Sequence, residues 1–204
     1  MKICGLTREE DVAVAADVGA DAVGFICGFP ESPRNLSADR ARDLIRRVPP
    51  FMDSVLVTRV GFAAKDPGVV SRARPSALQL YGPKAQAVGL SRRLGVKLIL
   101  PRLVDGDTVD LGHDGFDALL SDTKRKGMFG GTGEVSDWRV CRRLRDAISP
   151  KPFILSGGLS WENVKDAILQ VRPYAVDVSS GVESSSGKKD PAKVRAFVKA
   201  AKET

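Results

Sequence analysis

Short apolar runs rich in β-branched residues recur along the chain at 2–5, 22–27, 52–60, 77–80, 96–100, 116–121, 153–156 and 174–178. Each is bounded by glycine, proline or polar residues, so the pattern predicts eight strands. Between them, apolar residues three and four apart predict helices. Thr7 precedes Glu9, Glu10 and a stripe at Val12, Ala15 and Ala16 that stops at Gly19. Ser37 leads Leu44, Ile45 and Val48 up to Pro49-Pro50, and Ser160 leads Val164, Ala167 and Ile168. These are helix start and stop signals. Further helices are predicted over 66–74, 83–94, 136–147 and 190–201, with the faintest pattern over 105–111.

Strands that alternate with helices predict an α/β fold with a parallel sheet, and 204 residues give eight such units room for a barrel but not for a second domain. The expected architecture is therefore a single (β/α)8 TIM barrel over residues 1–204. Polar and glycine-rich residues collect where strands end and helices have yet to begin: Cys4-Gly5, 29–35, 122–133, 156–158 and 179–187. The returns from helix to strand, such as Gly19-Ala20-Asp21 and Gly95-Val96, are short and plain. In a barrel the first set shares the C-terminal rim, where this fold carries out its chemistry.

Composition removes several classes. The formal charge is +7, but the basic residues lie along predicted helix faces, such as Arg40, Arg42, Arg46 and Arg47. Aromatic residues make up 6% of the chain, which leaves no stacking platform for single-stranded nucleic acid. A basic surface of this kind also favours an acidic small molecule. Three scattered cysteines, Cys4, Cys27 and Cys141, suit neither a disulfide framework nor metal-ligand spacing. No apolar stretch approaches ~20 residues and the first residues already read as strand, so the expectation is a soluble, cytoplasmic protein without signal peptide or membrane span.

Two junctions have a definite chemical reading. Ser156-Gly157-Gly158 ends the seventh predicted strand and Ser179-Ser180-Gly181 ends the eighth. Small residues leave backbone N–H groups open to a phosphate, and barrels place such a site after these two strands. Each turn alone would equally be a tight turn that needs glycine for its backbone. Asp122 closes the sixth strand, where partial desolvation raises a carboxyl pKa towards neutrality and suits a general acid. An N-cap or a salt bridge to Lys124 would use the same residue. The segment 124–133, rich in Gly and Lys, has the composition of a lid. Cys4 stands on the same rim, whereas a lone cysteine is ordinarily a small buried hydrophobe, as expected for Cys27 and Cys141. A base and an acid on opposite sides of a sugar phosphate would suit a proton-shifting isomerase. The only histidine, His113, falls in a turn, Gly112-His113-Asp114-Gly115, which argues against a Ser-His-Asp triad.

Several motifs, in order from residue 2 to 190, carry a family resemblance. They are Lys2-Ile3-Cys4-Gly5-Leu6-Thr7, Gly19-Ala20-Asp21-Ala22-Val23-Gly24-Phe25, Ser32-Pro33-Arg34, Gly130-Gly131-Thr132-Gly133, Asp137-Trp138 and Leu155-Ser156-Gly157-Gly158-Leu159. To these are added Val176-Asp177-Val178-Ser179-Ser180-Gly181-Val182-Glu183 and Gly187-Lys188-Lys189-Asp190. Together they resemble phosphoribosylanthranilate isomerase. The resemblance implies an Amadori rearrangement in tryptophan biosynthesis, without metal or cofactor, on a phosphorylated small-molecule substrate and in a monomer or homodimer. It implies Asp122 as general acid and Cys4 as general base, Arg34 facing the anthranilate carboxylate, and Asp177 near the ribose or as an inward structural acid. The phosphate falls to Gly157, Gly158, Ser179, Ser180 and Gly181. The chain departs from the family pattern at Gln79-Leu80-Tyr81-Gly82, where histidine is usual in place of Tyr81, at Val57-Thr58-Arg59, and at Asn35. A histidine-pathway isomerase of the same barrel type would carry aspartate at position 4. A non-catalytic phosphate-ligand or RNA-binding barrel would need neither Cys4 nor Asp122.

Overall fold

The computed structural model describes residues 1–104, 114–122 and 136–204, with the backbone of 124–125 and 128–129. Eight parallel strands close into a ring: β1 (Lys2–Cys4), β2 (Ala22–Cys27), β3 (Asp53–Arg59), β4 (Ala77–Tyr81), β5 (Lys97–Leu103), β6 (Ala118–Asp122), β7 (Phe153–Leu155) and β8 (Ala175–Val178). The ring is closed because β1 pairs in parallel with both β2 and β8, setting Cys4 opposite Gly24 and Lys2 opposite Asp177. A two-residue strand, Asn35–Leu36, pairs in parallel with Ile26 and Cys27 at the end of β2. The expected barrel is thus the observed one.

Among the described residues eight helices surround it: α1 (Glu9–Asp17), α2 (Ala38–Ile45), α3 (Val60–Lys65), α4 (Gly68–Ala73), α5 (Lys84–Leu94), α6 (Trp138–Ala147), α7 (Val164–Val171) and α8 (Pro191–Lys202). Two short helices, α3 and α4, follow β3 where one was expected, and Val60 opens α3 instead of ending the strand. The faint helix 105–111, His113 and most of the glycine-rich segment 124–133 lie outside the described residues. Ser37, Asp137 and Asp190 cap α2, α6 and α8 by accepting backbone N–H groups of their first turns. Thr7 does not cap α1; its hydroxyl donates to the Gly187 carbonyl at 2.6 Å and so ties the first βα loop to the last.

The period of two along each strand divides the core into two shells. Residues facing outward, among them Ile3, Phe25, Leu56, Leu78, Leu119 and Phe153, meet the apolar faces of the helices. Fully burying a side chain of this size stabilises the fold by roughly 1.5–3 kcal/mol. Inward-facing residues form a second cluster of Val55, Val57, Ala77, Ile99, Ala118, Leu120 and Ile154, and Cys4 belongs to it. The barrel interior is therefore apolar beneath the rim, and the polar groups set into it stand out. Cys27 and Cys141 are buried in the outer shell, as their reading as small hydrophobes requires.

Candidate active site

A cavity of about 200 Å³ opens at the carboxyl ends of the strands. Cys4, Arg34, Asp122, Asp177 and Ser179 all line it, together with Phe29, Gln79, Tyr81 and Ser156. Strand parity accounts for this convergence: Lys2 and Cys4, Gln79 and Tyr81, and Asp177 and Ser179 are each two apart, so each pair points to the barrel interior. Cys4 is 6% exposed and Asp122 4%. Gly24 makes room for the thiol, because a Cβ there would lie 2.7 Å from Cys4 Sγ and 3.2 Å from Cys4 Cα.

A chain of hydrogen bonds crosses the cavity floor. Lys2 Nζ donates to Asp177 Oδ1 at 2.9 Å and to Gln79 Oε1 at 3.1 Å. Gln79 Nε2 donates to the Tyr81 hydroxyl at 3.2 Å, and that hydroxyl donates to Asp122 Oδ2 at 2.7 Å. Burial, and then the neighbouring Asp122 carboxylate, push the Tyr81 phenol well above its ordinary range, so it stays a donor. Burial disfavours the Lys2 ammonium, yet Asp177 and Cys4 outweigh it and hold Lys2 above its ordinary value. Burial pushes the Cys4 thiol up, against the downward pull of Lys2 and Lys189.

A second cluster forms the wall. The Arg34 guanidinium donates from Nε to Glu183 Oε1 at 2.8 Å and from Nη2 to Glu183 Oε2 at 2.6 Å, a bidentate pairing. Lys189 Nζ also donates to Glu183 Oε1 at 2.9 Å, and to the Ser179 carbonyl at 3.0 Å. Burial alone would lift the Glu183 carboxyl, but Arg34 and Lys189 hold it below its usual range. Gly5, at φ +75°, lets the Arg34 stem pass, since a Cβ on it would meet Arg34 Cδ at 2.6 Å. Opposite, Phe29 packs edge-on to Tyr81 at 5.5 Å and lies under the Arg59 guanidinium, 4.5 Å from the ring centre.

The two glycine turns lie side by side. Gly181 approaches the first so closely that a Cβ would stand 2.0 Å from the Leu159 carbonyl oxygen. Ser156 N donates to Ser121 Oγ at 2.9 Å and Asn163 Nδ2 donates to the Gly158 carbonyl at 2.9 Å, which fixes the turn after β7. Ser180 and Gly181 start a 3-10 turn, Ser180–Val182. The cavity lining contains Ser156 and Ser179, the first residue of each turn, while Gly157, Gly158, Ser180 and Gly181 stand just beyond it. Among the described residues, no group of His, Cys, Asp and Glu is arranged as metal ligands would be.

The sequence matches the family described as N-(5'-phosphoribosyl)anthranilate (PRA) isomerase over residues 1–200. The chain belongs to this isomerase family. An N-(5'-phosphoribosyl)anthranilate isomerase from Haloferax volcanii is 42% identical over 207 residues, covering 99% of this chain and 92% of the relative. One from Pseudomonas fluorescens is 42% identical over 205 residues, covering 98% of this chain and 96% of its own. Among solved structures, the Thermotoga maritima phosphoribosyl anthranilate isomerase superimposes with a TM-score of 0.86 at 38% identity, over 100% of this chain and 98% of that one. A phosphoribosyl anthranilate isomerase in complex with reduced 1-(o-carboxyphenylamino)-1-deoxyribulose 5-phosphate gives 0.82 at 36% identity over the same shares.

Against the isomerase motifs, four residues of the site had no role assigned from sequence. Lys2, Gln79, Glu183 and Lys189 are all buried and all hydrogen-bonded to one another or to the expected site residues. The available signal was parity: a lysine or glutamine two residues before a strand-end site residue points the same way as that residue. Tyr81 was visible only as a departure from the usual histidine.

Proposed function

We infer that this chain catalyses the Amadori rearrangement of N-(5-phosphoribosyl)anthranilate to 1-(2-carboxyphenylamino)-1-deoxyribulose 5-phosphate in tryptophan biosynthesis. The observation that carries the assignment of roles is the placing of Cys4 and Asp122, at the ends of β1 and β6, in one buried cavity beside two adjoining glycine turns. Asp122, as general acid, gives its proton to the furanose ring oxygen while the anthranilate nitrogen lone pair expels it, leaving an open-chain Schiff base. Cys4, as general base in its thiolate form, takes the proton from C2, and the C2–H electrons pass to the nitrogen to form an enolamine. Loss of the C2 hydroxyl proton and protonation at C1 then give the ketone, so atoms and charge balance without an outside reactant.

Binding follows the same geometry. Glu183 fixes the Nε and Nη2 edge of Arg34, which leaves the Nη1 side of the guanidinium for the anthranilate carboxylate. The backbone N–H groups of Gly157, Gly158, Ser179, Ser180 and Gly181 receive the phosphate. Asp177 acts chiefly by anchoring Lys2, although it also lines the cavity where the ribose would lie. No helix among the described residues is long and apolar enough to cross a membrane. We place the activity in the cytoplasm, in a single unit spanning 1–204, as a monomer or a homodimer. A Thermotoga maritima relative is described as dimeric and was solved as generated monomers.

The test is the loss of substrate fluorescence when phosphoribosylanthranilate, generated in situ, meets the purified protein. Cys4→Ser and Asp122→Asn should each lower kcat by about 10²–10⁴-fold, the usual worth of a positioned acid or base, with an unchanged far-UV circular dichroism spectrum. Wild-type turnover in either variant would remove that residue from its role. Absence of turnover in the unaltered protein would overturn the function itself.

A further inference from the structure

A general base works best when it ionises near the working pH, and burial is the largest influence on Cys4, in the wrong direction. The structure supplies a compensating charge directly beneath it. Lys2 precedes Cys4 by two residues on β1, faces the same interior, and is 3% exposed. Both side chains pass over the bare Cα of Gly24, where a Cβ would lie 2.7 Å from Cys4 Sγ and 3.1 Å from Lys2 Cε. An ammonium has three N–H donors. Asp177 and Gln79 accept two of them, at 2.9 and 3.1 Å, which leaves the third for the sulfur.

We propose that Lys2 is the positioning residue of the base: its ammonium, anchored by Asp177 and Gln79, lowers the cost of ionising the buried Cys4 sulfur at the cavity floor. The proposal rests on the reading of Cys4 as the base, and it makes Lys2 and Cys4 one functional ion pair. The other charged or titratable groups facing the sulfur do not replace Lys2. Asp177, from β8, opposes the thiolate. Lys189, beyond β8, favours it but is bonded to Glu183 and to the Ser179 carbonyl. Arg34, from the loop after β2, is forked onto Glu183. From β4 and β6, Tyr81 is neutral and hydrogen-bonded to Asp122. Removing Lys2 therefore strips the sulfur of the cation that most favours its ionised form and leaves the Asp177 anion without its Lys2 partner.

The readout is the pH dependence of Cys4 alkylation by iodoacetamide without substrate, followed by peptide mass mapping, with kcat and KM measured over the same pH range. In Lys2→Met the alkylation midpoint should rise by at least one pH unit, a tenfold loss of rate at a fixed pH below both midpoints. The acid limb of kcat should move the same way, with KM held within about threefold. Lys2→Arg should keep most of the wild-type profile. Because Lys2→Met strands a buried carboxylate and can fail to fold, the double variant Lys2→Met/Asp177→Asn carries the test in that case. Its midpoint should lie above that of the wild type, because Lys2 acts on the sulfur more strongly than Asp177 does, and below that of Lys2→Met wherever the single variant folds. An unchanged midpoint in either folded variant overturns the proposal. Activity retained in Cys4→Ser would instead overturn the reading of the base, and the alkylation profile would still report the pairing.

Discussion

Tyr81 stands where the family motif carries histidine, and its hydroxyl reaches the proposed acid directly, at 2.7 Å from Asp122 Oδ2. Since the phenol keeps its proton well above the ordinary range, it can orient Asp122 but cannot replace it as the proton donor. Tyr81→Phe removes the hydrogen bond that orients Asp122, worth roughly 0.5–1.5 kcal/mol while that carboxyl holds the proton it donates. A fall in kcat of about 2- to 10-fold with little change in KM is expected. Steady-state kinetics of Tyr81→Phe beside Tyr81→His would check it, and an unaltered kcat in the phenylalanine variant would rule out the orienting role. Cys4 and Asp122 stood out in the sequence because a polar or reactive side chain at the rim end of a predicted barrel strand faces the place where ligands bind, whereas Arg34 stood out only through the resemblance to the isomerase motifs. Their partners did not. Arg34 meets Glu183 across 149 residues and Lys2 meets Asp177 across 175, and a single sequence carries no sign of which distant charges will share a wall.

The strands and helices were readable because each presents one apolar face with its own period, and that pattern is local. Where a side chain serves another element, the local signal misleads. Thr7 has the look of a helix cap but bonds to Gly187, and Val60-Gly61-Phe62 continues an apolar run but turns into α3. The turn after β8 shows the same limit, since its glycine looks conformational and is in fact demanded by a neighbour. Gly181→Ala would press a methyl carbon to 2.0 Å from the Leu159 carbonyl oxygen, a backbone atom that cannot swing aside. The two glycine turns must then separate. Thermal unfolding should show a loss of about 1–3 kcal/mol, the usual cost of overpacking. KM should rise more than kcat falls, because the proposed phosphate grip is what loosens. A variant with native stability and native KM would show that the contact between the turns is dispensable.

At the scale of the whole molecule, the outer shell makes stability depend on alkaline pH. Burial pushes the Cys141 thiol from 9.0 up to about 11. A group whose folded pKa is raised contributes stability that is fully present below the unfolded value and is lost as pH rises through the folded one. Two units correspond to about 2.7 kcal/mol, so the unfolding free energy should decline by an amount of that order between pH 9 and 11. Cys141→Ala should begin from a lower stability, because it opens a small cavity, yet decline less steeply over that window. Denaturant titrations at a series of pH values would decide it; parallel slopes for the two proteins would exclude Cys141 as a source.

Closure of the ring between β1 and β8 also bears on how the chain is made. Synthesis delivers Cys4 among the first residues and Asp177 only after β7 has left the ribosome, and until β8 docks the sheet keeps two unpaired edges. During that interval the cysteine shares a strand with Lys2, but Asp177 does not yet anchor the ammonium beside it. The sulfur is present from the outset and is shut away only when the final barrel strand docks, where burial pushes its pKa up. Until then the thiol stands open to oxidants and electrophiles. The seam ends that exposure in the same step that completes the cavity.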